Sequence, residues 1–241
     1  MCFMKRILTL LSFVVIGTGS LHLSAGVPTI KIVPMSQELR DQGASENTFV
    51  FEDFPLNQEF NLCYTKVVKV DPKSYTKMDI ISLDENGLMR LNRGDKYLFY
   101  AVDSVGMANG ERVTYRCVLP DRTILAETSY IPHPIHRESR DKTFSVDAEL
   151  ISLAPLTIYS IKYSGLNENE KIHLISISGK ETIESDLYHH KDDSHNYLPG
   201  VNGKTGGTST LEATRSTGDK LKLQLKWGDA VLTETLKSLN Q

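Results

Sequence analysis

Lys220-Leu221-Lys222-Leu223-Gln224-Leu225-Lys226-Trp227 decides how the rest of the chain is read. Apolar side chains at every second position alternate with three lysines and a glutamine. Successive strand side chains point to opposite faces, so this alternation predicts one buried face and one wet, cationic face. A helix needs a 3.6-residue period, and no stretch of comparable length shows one. Only 230–239, with Val231, Leu232, Leu236 and Leu239 loosely on one side, predicts a short terminal helix.

Upstream, the segments 48–54, 60–70, 97–102, 112–119, 122–130, 143–151, 157–163, 172–177 and 208–213 are rich in β-branched and aromatic residues. Turn chemistry separates many of them: Asp84-Glu85-Asn86-Gly87, Asn92-Arg93-Gly94-Asp95 and Ala108-Asn109-Gly110. Many short strands without βαβ alternation predict an all-β chain built from sandwiches, with immunoglobulin-like topology as the expected form. The single Trp227 lies far from both Cys63 and Cys117, so the antibody-type Cys…Trp…Cys pattern is absent.

Ile131-Pro132-His133-Pro134-Ile135-His136 interrupts the strand pattern near the middle. Each proline lacks a backbone donor and pushes the preceding residue toward extended geometry. A polar run, Arg137-Glu138-Ser139-Arg140-Asp141-Lys142, follows. The pair of features predicts a linker at 132–142 between two tandem sandwich domains, 26–131 and 143–228, with a tail at 229–241. A weak internal echo supports two units: Gly106…Gly110…Tyr115…Cys117 matches Gly203…Gly207…Glu212…Thr214 at a constant offset of 97.

Lys5 and Arg6 precede the apolar run Ile7-Leu8-Thr9-Leu10-Leu11-Ser12-Phe13-Val14-Val15-Ile16, and small residues follow. That order predicts a secretory signal peptide over 1–25, cleaved after Ala25 or nearer Ser20. The run is short for a membrane span, and no later segment is long and apolar enough for one, so no stable span remains after cleavage. Cleavage moves the net charge from −3 to −5, because Lys5 and Arg6 leave and no acid does. An acidic mature chain without a basic run excludes a nucleic-acid partner of the usual electrostatic kind. The expected location is the periplasm or the extracellular space.

Cys63 and Cys117 are the cysteines left after cleavage, and in an exported chain they are expected to form one disulfide. Closing that loop would contribute roughly 4 kcal/mol in the chain-entropy model.

The densest cluster of ligand-type residues is Asp186-Leu187-Tyr188-His189-His190-Lys191-Asp192-Asp193-Ser194-His195. His189, His190, Asp192 and His195 are its candidate metal ligands, because imidazole with carboxylate suits zinc and similar ions. The spacing matches no standard motif, adjacent strand histidines face opposite ways, and a polar loop is the expected reading. Asp79, Asp84, Glu85 and Asp95 are candidate calcium ligands near turns, without EF-hand spacing. His133 and His136 flank the joint.

No Gly-x-Ser-x-Gly elbow and no His-Glu-x-x-His occurs. Gly200-Val201-Asn202-Gly203-Lys204-Thr205-Gly206-Gly207 fails the phosphate-loop spacing and reads as a flexible hairpin or loop. With no catalytic signature and no cofactor motif, the expected function is an exported, non-catalytic interaction module that binds a protein or a glycan. Two other classes stay open: an enzyme whose site is assembled from loops, and a two-domain periplasmic assembly chaperone using 122–130 as a pairing edge.

Overall fold

A computed structural model describes residues 26–41, 46–67, 76–85, 89–91, 96–97, 101–102, 104, 106–191 and 193–238. The expected signal peptide, 1–25, lies outside the described residues. In chain order the first half holds β1 Thr29–Pro34, α1 Gln37–Asp41, β2 Asn47–Glu52, β3 Phe60–Lys66, β4 Thr76–Leu83, β5 Met89–Leu91, β6 Lys96–Tyr97, β7 Ala101–Val102, β8 Val113–Val118 and β9 Ile124–Tyr130. The second half holds β10 Ile135–Glu138, β11 Ser145–Ser152, β12 Ile158–Ser164, β13 Lys171–Ser178, β14 Glu181–Tyr188, β15 Ser194–Tyr197, β16 Gly206–Arg215, β17 Lys220–Gly228 and α2 Asp229–Ser238.

The chain is nearly all β and folds as two antiparallel sandwiches in tandem. In the first, a sheet of order β1-β2-β7 packs on one of order β6-β5-β4-β3-β8-β9. Phe49, Phe54, Phe60, Leu62, Tyr115 and Cys117 fill the space between them. The phenylalanine contacts are tilted or edge-on, as between Phe49 and Tyr115 at 4.9 Å between centroids, which suits ring quadrupoles.

The second sandwich pairs a sheet of order β10-β11-β12-β15 with one of order β14-β13-β16-β17. Alternation produces its core. Val146, Ala148 and Leu150 of β11 and Tyr159, Ile161 and Tyr163 of β12 point inward against Ile172, Leu211, Ala213, Leu221, Leu223 and Leu225. The expected alternation of β17 holds residue for residue over 220–225. Trp227 is buried beside Gly207, where an added Cβ would meet the indole at 3.0 Å. The offset of 97 carries β8 onto β16 and β9 onto β17, hairpin onto hairpin.

Two expectations need correction. Residues 132–142 are not all linker, because Ile135–Glu138 forms β10 and pairs with β11. Past Pro134 every residue again has an N–H, and the charged side chains sit on an edge strand facing water. The expected short terminal helix is α2, Asp229–Ser238, which buries Val231 and Thr235. Gly206 and Gly207 open strand β16 instead of a flexible loop. At Gly206 an added Cβ would fall 2.6 Å from the Asp229 nitrogen, so the glycine serves close packing.

Candidate functional site

A broad concavity lies where the two sandwiches meet, and its geometry starts at one loop. Gly110 has φ +75°, a conformation glycine adopts without strain. Its N–H donates to the His133 carbonyl at 2.7 Å, and its carbonyl accepts from the Leu150 N–H at 2.8 Å. Glu111 bridges to Leu150 in parallel sense. The loop of the first half thus takes over the edge of β11 beyond the end of β10, so the halves share a ladder. Ala108 is buried in the second core, and buried Glu111 accepts the Ala108 N–H at 2.9 Å.

Arg112 clamps the same joint. Its Nε and Nη2 donate to Glu149 Oε1 and Oε2 at 2.6 Å each. A partly exposed pair of this kind adds little stability, but the bidentate fork fixes orientation. Lys66 Nζ donates to the Gly106 carbonyl at 2.6 Å. Ile151 faces outward by the alternation of β11, beside a bulge between Leu150 and Ser152.

Together these elements enclose a groove of about 870 Å³. Lys66, Val67 and Arg112 line it from the first half, and Ile151, Leu153 and Leu232 from the second. Ile151 and Leu232 are each 41% exposed, an apolar surface left open between polar rims. Arg112 and Glu149 neutralise each other there, and among the described residues no histidine lines it. The sequence carried no signal for this groove, because its walls come from segments more than twenty residues apart.

The cysteines do not pair. Both are free thiols. Leu62 stands opposite Cys117 and Cys63 opposite Arg116 on neighbouring strands β3 and β8. Opposed residues share a face, so Cys117 points into the core with Leu62 while Cys63 points to the other face. Burial pushes the Cys117 thiol up to about 12 and raises that of Cys63. Alkylation of the unfolded, unreduced mature protein is expected to label two thiols per chain. A chain that takes up label only after reduction would contradict this placement.

The histidine cluster is dispersed. His189 is buried at the end of β14, its N–H bonded to the Glu170 carbonyl and its Nδ1 without a partner. His190 is exposed, and its Nδ1 meets Glu168 Oε1 at 3.0 Å, which raises its pKa. His195 sits on β15 opposite Ile161, its Nε2 buried without a partner. Asp192 lies outside the described residues. Among the described residues no three His, Cys, Asp or Glu side chains are placed to hold one metal ion.

The turn acids are separate as well. Asp79 accepts the Ile80 N–H, Asp84 is buried beside Arg90, and Asp95 is outside the described residues. His133 Nε2 meets the Ser104 carbonyl at 3.2 Å, and His136 Nδ1 meets Asp147 at 2.7 Å, so the two do not converge. β9 ends its sheet with Ile124 exposed, but β1 lies alongside it. Among the described residues no helix is long and apolar enough to cross a membrane.

No protein-family model matches the chain, and no characterised protein matches it in sequence. Among solved structures it is similar to a tetra-tandem repeat in the extending region of a large adhesion protein, at 12% identity and a TM-score of 0.26. The match covers 84% of this chain and 48% of that one.

Proposed function

We propose that this chain is an exported, non-catalytic interaction module, acting in the periplasm or outside the cell, that receives a protein or glycan ligand in the groove at its joint. The Lys5-Arg6 segment and the apolar run after it support export. The observation that carries the binding reading is the groove itself. It is bounded by both halves, held open by the Gly110–Leu150 ladder and the Arg112–Glu149 clamp, and floored by Ile151 and Leu232. Ligand sites favour such junctions, where apolar surface and a few fixed polar groups converge. The two sandwiches act as separate folding units joined near residues 132–134, with the shared ladder setting their angle.

A photo-reactive residue placed at Ile151 of the full chain, expressed in its native cells, tests the reading. A discrete adduct is expected, sensitive to protease or glycosidase according to ligand class, and lost when Leu232→Asp is added. The same probe at exposed Asn202 is expected to give none. No adduct at Ile151, or one indifferent to Leu232→Asp, would overturn the proposal.

A further inference from the structure

β14 is an eight-residue strand at the end of its sheet. All its residues except Leu187 are exposed, on both faces, and Ile183 is 64% exposed although it points to the core side. The strand therefore overhangs the facing sheet. At the opposite end of the same sheet stands β17.

The two edges carry opposite charge in matching rows. Reading across the register on the outer face, Asp186 shares a row with Lys220, Glu184 with Lys222, and Thr182 with Gln224. On the inner face Ile183 shares a row with Leu223. The free backbone groups match too. Tyr159 Oη donates to the Lys226 carbonyl and the Gly228 N–H donates to Thr157 Oγ1, so even-numbered β17 residues point their backbone away from β16. Carried across the ladders, the same alternation points the backbone of Thr182, Glu184 and Asp186 away from β13.

We infer that β14 of one copy pairs with β17 of a second copy, joining their sheets edge to edge. The four strands alternate in direction, so a neighbour in the same orientation arrives antiparallel with no shift of register. Glu212 takes both Lys220 (2.7 Å) and Lys222 (3.1 Å), which leaves one cation in surplus on that edge. The Glu184 carboxylate is 62% exposed, with His173 3.8 Å away. Lys222 against Glu184 is thus the central pair, and Ile183 gains cover beside Leu223. Registers that pair β14 with its own copy about Glu184 or Ser185 oppose acid to acid and are disfavoured. β10 comes close to β17, with Arg137 beside Gln224 and Lys226, and Tyr159 and Thr157 close the strand near its end, so the contact spans Lys220–Leu223. A contact between two different edges is heterologous, so it adds further copies, into a ring where its rotation closes and into an open row where it does not. The inference is independent of any ligand in the groove.

Sedimentation velocity of the full mature chain over a concentration series tests it. The weight-average mass is expected to rise with concentration at low salt and less at high salt. Glu184→Lys, on an exposed side chain, is expected to abolish the rise while the fluorescence transition of Trp227 stays in place. Lys222→Glu is expected to do the same, and the double variant to recover association. A wild-type chain that stays monomeric throughout, association that survives both single changes, or a double variant that remains monomeric overturns the inference.

Discussion

Glu170→Ala is expected to lower the stability of the second sandwich by about 3–5 kcal/mol, the usual cost of breaking a buried ion pair from one side. The Glu170 and Arg215 side chains are 5% and 10% exposed. Arg215 Nε and Nη2 donate to the two carboxylate oxygens at 2.9 and 3.1 Å. Ser216 Oγ and the Asn167 N–H complete the shell at 2.9 and 3.0 Å. The guanidinium also lies 5.8 Å from the centroid of fully buried Phe144. Removing the carboxylate strands a cation at the end of the core.

The same group sets an acid limit. Hydrogen bonding from Arg215 outweighs desolvation and holds Glu170 at about 2, below its ordinary 4.5. A depressed carboxylate stabilises the fold fully above its unfolded pKa and loses that contribution as pH falls through its folded one. Stability from Glu170 is therefore complete above about pH 4.5 and gone below about pH 2. The Ala variant is expected to lose that arm of the acid profile. Trp227 is the chain's one tryptophan and lies in the second sandwich, so denaturation followed by its fluorescence reads that unit. A loss below about 1 kcal/mol would mean that the pair behaves as an exposed one.

Gly228→Ala is expected to cost about 3 kcal/mol or more, combining left-handed strain with a steric clash. Gly228 has φ +53° and links β17 to α2. An added Cβ would drive into the Thr205 carbonyl, which accepts the Asp229 N–H at 3.0 Å. The first turn of α2 would lose its seat, and with it Leu232 at the groove. Gly203→Ala is the control. Gly203 has φ +74° with nothing within 4 Å of an added Cβ, so strain of about 1–2 kcal/mol is the whole expected cost. Equal losses in the two variants, read by Trp227 fluorescence, would show that the clash relaxes.

Much of the strand content was legible because it rests on local alternation. β17, β12 and β11 each write their buried face into every second residue. β14 was not legible. With almost every side chain exposed it has no apolar period to display, and Ile183, Leu187 and Tyr188 look like loop residues among acids. β10 was hidden by the prolines before it, which forbid a strand only as far as Pro134. The paired glycines at 206 and 207 read as flexibility, yet Trp227 and Asp229 press on them. The disulfide failed on parity. Cys63 and Cys117 each looked strand-like, but a pairing of Leu62 with Cys117 turns Cys63 away.

Composition and alternation by themselves determined that this chain makes strands and that they stack as sandwiches. Those properties depend on neighbours within a few residues, whose side chains sample opposite faces whatever lies beyond them. Only the tertiary structure decided which strands are edges, which face each thiol takes, and how Gly110 and Arg112 lock one sandwich to the next. Each of those depends on the register between segments far apart in the chain. A shift of one residue reverses every face, and no local pattern records it.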